Sequence, residues 1–253
     1  MIKVIISGSS GTMGTVLREE LDKEDDIQII AGFDSKIGDA PLPFKQYMDL
    51  SDAPGGADVV IDFSHFSAVP SLINYCVRTK TPVVVATTAL EKKERDMLID
   101  AAKEIPVFRS ANMSLGINVI KRMCTGAMPS LEDDFNVEII EKHHCMKVDS
   151  PSGTALLLAD SINDVCIEKK DYIYGRHGKT DKCKMTDLGI HAVRGGSIPG
   201  QHTVIFAGPD EVIEVTHTAY SKKVFAHGAI KAARFLKDQE SGYYNMDDLL
   251  AAK

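Results

Sequence analysis

Short apolar runs alternate along the chain with stretches in which apolar residues recur every three or four positions. "KVIISG" has the look of a β run, and "GTVLREELDKE" carries Val16, Leu17 and Leu21 at helical spacing before a charged end. "IQIIAGFD" and "ADVVIDFS" are again β, "AVPSLINYCVRT" is helical, "TPVVVATT" is β, "EKKERDMLIDAAKE" is an amphipathic helix, and "IPVFRSA" is β. Val83, Val84 and Val85 are apolar without alternation, as suits a strand covered on both faces. Strands alternating with helices predict an α/β fold built on a parallel, doubly wound sheet.

The pattern changes near residue 115. One more helix ("GINVIKRMCTGAMP") leads into strands that truly alternate: Phe135, Val137 and Ile139 fall on one side of "FNVEIIEKHH", and Asn136, Glu138 and Ile140 on the other. "DLGIHAVRGG", "GQHTVIFAGPD" and "EVIEVTHTAY" behave alike, which predicts a second sheet with one face on a core and one on solvent or ligand. Only "SGTALLLADSINDVCIEK" is strongly helical in this stretch, and the tail "KKVFAHGAIKAARFLKDQ" is a helix whose small residues suit close packing. The expected organisation is a first domain of residues 1–114 plus 223–253, interrupted by a second, α+β domain over 115–222.

Composition narrows the partners. The 253 residues are 44% hydrophobic, and no apolar run approaches the ~18 residues of a membrane span. "MIKVIISG" passes straight into the first strand, so no leader is expected. Five scattered cysteines without a C-x-x-C pair suit a reducing cytoplasm. A net charge of −7 and the absence of Trp argue against nucleic-acid binding.

Chemistry enters first at "IISGSSGTMG", where a strand ends, glycines fall at 8, 11 and 14, and a helix opens. Glycines there let the backbone turn tightly and approach a pyrophosphate resting on the helix N-terminus. The spacing is G-x-x-G-x-x-G, with Ser10 standing where a dinucleotide loop usually has its second glycine. Asp34, 20 residues beyond Gly14, closes the second strand, where an acidic residue grips ribose hydroxyls. The strand ends "DFS", "ATT" and "SANMS" offer small and hydroxyl residues to the rest of such a cofactor.

The stretch "EKHHCMKVDSPSGTA" crowds Lys142, His143, His144 and Lys147 against the start of the next helix. His143 is expected at the end of a strand, with Ser152 or Thr154 as helix cap. The amides of Gly153 and Thr154 would then face a carboxylate, with Lys147 and His144 beside it. A zinc site on His143, His144 and Cys145 is disfavoured, because neighbouring side chains on an extended strand point to opposite faces.

The segment E-x-x-E-x-H-H-x-x-K-x-D-x-P-S-G-T-A, Glu138 to Ala155, resembles the signature of the dihydrodipicolinate reductase family. "GSSGTMG", "VIDFS", Thr87-Thr88, "ANMSLGIN", "IHAVRGGSIPGQHTVIF" and "FAHGAIKAARFL" resemble that family's segments in the same order, over nearly the whole chain. The resemblance implies a Rossmann cofactor domain, a mixed-sheet domain for substrate binding and oligomerisation, and a homotetramer. It implies His143 as proton donor with Lys147 as its catalytic partner. His144, Ser152, Gly153 and Thr154 would bind a small dicarboxylate substrate. NADH or NADPH, with a modest lean to NADH, would contact Gly8, Ser9, Ser10, Gly11, Thr12, Met13, Asp34, Ala86, Thr87, Thr88, Ser110, Ala111, Asn112 and Met113. The family often has Gly-Thr-Thr-Gly where this chain has Ala86-Thr87-Thr88-Ala89, a departure at the loop expected to line the cofactor. Two rival readings are another two-domain amino-acid or semialdehyde dehydrogenase, which should lack the His-His-x-x-Lys to Ser-Gly-Thr junction, and a non-catalytic nicotinamide sensor, which needs no proton donor.

Overall fold

The structure, a computed structural model, describes residues 1–37, 41–179 and 182–252. The chain forms two compact units, Met1–Leu115 with Lys222–Lys253, and Gly116–Ser221.

The first unit is an α/β sheet of seven parallel strands. In chain order these are β1 (Ile2–Ser7), β2 (Ile27–Phe33), β3 (Lys45–Tyr47), β4 (Val59–Asp62), β5 (Val83–Val85), β6 (Pro106–Arg109) and, from beyond the second unit, β12 (Gly242–Tyr244). Their spatial order is β12-β6-β5-β4-β1-β2-β3, so the sheet grows outward in both directions from β1. Neighbouring strands leave β1 for opposite sides at that point, and the loops after their carboxyl ends frame a crevice. Successive residues of β1 feed opposite cores. Val4 and Ile6 pack under α1 (Thr12–Leu21) and α6 (Lys223–Leu236), whereas Ile5 packs under α2 (Val69–Thr79) and α3 (Lys92–Ala101). Both faces are covered, which is why β4 and β5 are apolar or buried at every position.

Small residues on α6 have a visible purpose. Ala226, Ala229, Ala232 and Ala233 are fully buried. A Cβ on Gly228 would lie 1.7 Å from the Met113 carbonyl oxygen, so only glycine lets the 110–114 turn rest on the helix.

The second unit holds a mixed sheet in the order β11-β10-β7-β9-β8. Its strands are β7 (Asn136–His143), β8 (Asp171–Tyr174), β9 (Asp187–Arg194), β10 (Gly200–Ala207) and β11 (Val212–Ala219). β10 runs antiparallel to β7 and β11, while β7, β9 and β8 are parallel. One face packs on α4 (Leu115–Leu131) and α5 (Gly153–Val165), where Val137, Ile139, Leu188 and Phe206 meet Ile117, Met128, Leu158 and Ile162. The expected alternation in β7 is present, and it extends one step further than apolarity does: Glu141 occupies the same buried phase with no exposed surface.

Candidate active site

In the first unit the turn after β1 is fixed by its glycines. Gly8 has φ +80°, and a Cβ there would sit 2.6 Å from the Phe63 carbonyl oxygen. A Cβ on Gly14 would sit 2.1 Å from the Gly8 oxygen. Gly11 occupies the N-cap of α1 and brings no side chain to the first-turn amides. A helix start without a side-chain cap, approached by a glycine turn, is a cradle that suits a pyrophosphate. Asp34 follows β2, and its Oδ2 accepts a hydrogen bond from the Ser10 amide at 2.8 Å while Oδ1 accepts from the Lys36 amide at 3.2 Å. The carboxylate therefore stands over the mouth of the glycine turn. Ser10 and Thr12 are exposed and Met13 is half-buried, but Ser9 is fully buried. Ser9 Oγ donates to the Phe33 oxygen at 3.1 Å and accepts from Gln46 Nε2 at 2.9 Å, so its side chain shapes the turn from beneath.

The loops after β4, β5 and β6 are held from within. Asp62, fully buried, accepts from the Ser64 amide at 3.1 Å and lies 2.6 Å from Thr87 Oγ1, which donates to the Ser64 oxygen at 3.0 Å. A threonine hydroxyl has one proton. That proton is shared between the Asp62 and Ser64 oxygens, unless Asp62 carries a proton of its own to donate, and burial pushes the Asp62 carboxyl up in that direction. Ala86 and Thr87 are buried, and Thr88 and Ala89 are exposed at the tip. Ala89 adopts φ +57°. In the 110–113 turn Ser110 Oγ donates to the Asn112 oxygen at 2.7 Å, Asn112 and Met113 are buried, and Ala111 is exposed. Of the positions expected at a cofactor, Ser9, Ala86, Thr87 and Met113 thus support loops whose outer surface belongs to their neighbours.

In the second unit β7 ends at His143, and its ring is gripped from one side. Glu141 Oε2 lies 2.6 Å from His143 Nδ1 and accepts from Arg194 Nη1 at 2.7 Å. Oε1 accepts from Arg194 Nη2 at 2.7 Å and from the Ser152 amide at 3.0 Å. Burial pushes the Glu141 carboxyl up, but the Arg194, His143 and Ser152 hydrogen bonds more than offset it, and the net direction is down. Register puts Arg194 there, since it pairs directly with His143 across β9 and β7.

Ser152 is the cap of α5, its Oγ accepting from the Ala155 amide at 3.2 Å. The same Oγ lies 2.8 Å from His202 Nε2, and the His202 ring packs edge-on against His143 with centroids 5.1 Å apart. Burial, then the charge of His143, holds the His202 pKa down to about 3, so this ring is neutral at physiological pH. Lys147 Nζ bonds Asp149 Oδ1 at 2.8 Å, and the Gly153 amide also favours the charged Asp149 carboxylate. Gly153 is exposed and Thr154 half-buried at the helix start. His144 is exposed one residue past the strand and lies outside the Glu141 cluster. Glu141, Arg194 and His202 fall within segments quoted from the sequence, and Asp62 opens the DFS strand end, but none was given a role at the site. Glu141 left a local signal, as a carboxylate in the apolar phase of β7.

A doubly wound sheet with a glycine turn, carried on one chain with a mixed sheet that presents a carboxylate-held histidine, defines a two-domain dinucleotide-dependent oxidoreductase. The family model described as dihydrodipicolinate reductase, N-terminus, matches residues 2–113, and that described as dihydrodipicolinate reductase, C-terminus, matches residues 116–250. The chain belongs to the dihydrodipicolinate reductase family. A 4-hydroxy-tetrahydrodipicolinate reductase of Caldanaerobacter subterraneus subsp. tengcongensis is 50% identical over 250 residues, covering 99% of this chain and 98% of that protein. One from Clostridium tetani is 48% identical, with 99% and 97% covered. Among solved structures, a dipicolinate-bound dihydrodipicolinate reductase from Paenisporosarcina sp. TG-14 superposes with a TM-score of 0.81 at 20% identity, covering 98% of this chain and 99% of that one. Aspartate dehydrogenase from Thermotoga maritima shares the fold more loosely, with a TM-score of 0.55 at 13% identity over 95% of this chain and 98% of that one.

Proposed function

We propose that this family member, an NAD(P)H-dependent reductase of 4-hydroxy-tetrahydrodipicolinate in the diaminopimelate route of lysine biosynthesis, uses His143 as its proton donor and Lys147 as the partner cation. The net change gives the ring one hydride and one proton and removes water, yielding tetrahydrodipicolinate. A bound reduced nicotinamide supplies the hydride. The Gly8–Met13 turn and the start of α1 hold its pyrophosphate, Asp34 meets ribose hydroxyls, and the 86–88 and 110–113 loops line its remaining length. His143 supplies the proton from Nε2, because Nδ1 is engaged by Glu141. Lys147, His144, the Ser152 cap and the Gly153 and Thr154 amides bind the two carboxylates. The observation that carries the reading is the fixed His143 ring beside a capped helix start, with a lysine two residues from a carboxylate already drawn to that start.

The test is His143→Gln. General acid catalysis is worth ~10²–10⁴-fold, and the loss should fall on kcat far more than on KM. Activity within a factor of about two of the unmodified enzyme removes His143 from the mechanism.

Both reduced cofactors are accepted, with NADH modestly ahead. Asp34 accepts hydrogen bonds from two ribose hydroxyls, whereas a 2′-phosphate meets a like charge. Lys36 offsets this as a flexible cation at an exposed position, and no arginine occupies that turn. A kcat/KM preference for NADPH above about a hundredfold, or ~2.7 kcal/mol, would show that Asp34 does not face the ribose. The same reading includes a cytoplasmic homotetramer. Free thiols at Cys76, Cys124, Cys145, Cys166 and Cys183 support the first part, and exposed Val193, Val212 and Ile213 on the five-stranded sheet support the second. Light scattering at assay concentrations tests the assembly.

A further inference from the structure

We infer that Glu141 and Arg194 are positioning residues for the reduction: a charge-balanced pair that fixes the orientation of the His143 ring and which of its nitrogens exchanges the proton. The inference rests on the reading of His143 as proton donor.

An ionised carboxylate only accepts, and offers about four directions for doing so. In Glu141 all of them are used, by two Arg194 nitrogens, the Ser152 amide and His143 Nδ1. His143 Nδ1 therefore carries its hydrogen whether the ring is neutral or charged. Nε2 is left as the nitrogen that gains and loses a proton, and it faces Gly200, where a Cβ would stand 3.2 Å from it. A side chain at that position would crowd the proton's way out.

A lone buried carboxylate beside an imidazole would hold the imidazolium strongly and make it a poor acid. Arg194 changes that. Its guanidinium takes both oxygens in a fork and brings a full positive charge against the negative one. His143 thus gains a fixed tautomer and orientation from Glu141, while the charges of the pair cancel. Arg194 Nη2 also donates to the Asp149 backbone oxygen at 2.6 Å, so the loop that carries Lys147 is tied to the same guanidinium.

The other titratable groups facing this ring are few. Lys147 and Asp149, on the loop after β7, pair with each other. His202 on β10 packs on the ring and stays neutral. Among the described residues, Glu141, from β7 itself, and Arg194, from β9, are the charged groups in the hydrogen-bond chain that ends on the ring.

The pair makes a signed prediction. In the pH–rate profile between about pH 5 and 10, Glu141→Gln leaves Arg194 uncompensated, and the alkaline limb should move to lower pH by about one unit. Arg194→Gln leaves the carboxylate uncompensated, and the limb should move to higher pH by about one unit. The double variant should return the limb close to its original place with kcat still reduced. Shifts of the same sign, or no shift in either single variant, overturn the inference. Should a variant not fold, nitrogen-15 NMR of the unmodified enzyme decides, with the His143 signals identified by their loss in His143→Gln. Neutral His143 should carry its hydrogen on Nδ1, and a hydrogen on Nε2 overturns the inference. This measurement reads the tautomer alone, so it stands even if His143→Gln keeps full activity and the proton donor lies elsewhere.

Discussion

Lys147 and Asp149 form a short ion pair across a single residue, Nζ to Oδ1 at 2.8 Å, and the Asp149 carboxylate is drawn at the same time to the Gly153 amide at the start of α5. Lys147, first among the causes, then Asp149's own backbone amide and, least, that of Gly153 hold this carboxyl below its usual range even against partial burial. A carboxylate of the chain itself thus bridges the cation and the helix start assigned above to a substrate carboxylate.

The ion pair keeps the Lys147 ammonium beside α5. A pair whose carboxylate is exposed and whose lysine is half-buried is still worth only ~0.2–1 kcal/mol, so Asp149→Asn should raise the substrate KM by about 1.4–5-fold and leave kcat nearly unchanged. Steady-state kinetics decide the sign. A lower KM would mean that Asp149 competes with the substrate rather than placing the lysine.

Glu20 links α1 to α6 through Lys23, Lys223 and His227, at 2.7, 3.0 and 2.9 Å. Those hydrogen bonds, Lys23 first, take its pKa from 4.5 to about 2. The folded value is depressed, so the stabilisation is complete above pH 4.5 and is lost as pH falls toward 2. Melting curves of the unmodified protein and Glu20→Gln should differ at neutral pH and converge through that window. A gap that stays constant with pH would assign the effect to packing.

Asp62 has the opposite sign. Burial raises its folded value above 3.8, so its stabilising protonated form is fully present below 3.8 and is lost as pH rises. Asp62→Asn keeps a donor for Thr87 and has no proton to lose. The variant should melt above the unmodified protein at alkaline pH, with the gap closing toward pH 3.8. A variant that melts lower at every pH would show that Asp62 serves as an ion.

Ala89 holds a left-handed backbone at φ +57°. That conformation costs a residue with a Cβ ~1–2 kcal/mol, against ~0.4–1 kcal/mol for the extra freedom glycine has when unfolded. Ala89→Gly should therefore raise Tm by about 1–3 °C in a protein of this size. An unchanged or lower Tm would mean that the loop relaxes the alanine by other means.

Much of this was legible in the pattern of residues. Both sheets, the change of character near residue 115 and the return of α6 follow from periodicity, because long elements repeat their signal several times. β3 and β12 escaped notice because three residues carry no period and theirs, Lys-Gln-Tyr and Gly-Tyr-Tyr, form no apolar run such as the three valines of β5. At the site, the glycine turn and the Ser152 cap are local devices and so can be found locally. Glu141 was visible in principle as a charge in the buried phase of β7, but its meaning depends on Arg194, 53 residues away, and only the β7–β9 register brings the two together. His202 reaches Ser152 across 50 residues for the same reason.

The place of α6 has a consequence for how this molecule comes into being. Ala226, Ala229, Ile230, Ala233 and Leu236 close one face of a sheet whose other residues come mostly from the first 115 positions. During synthesis those strands leave the ribosome early, yet Val4, Ile6 and Ile61 have no full cover until the helix emerges more than a hundred residues later. Gly116–Ser221 is contiguous and has all its core residues available by then. The later-encoded unit is the first that is able to finish folding, and the half-made sheet, with an open apolar face, is the part of the nascent chain that a chaperone has reason to hold.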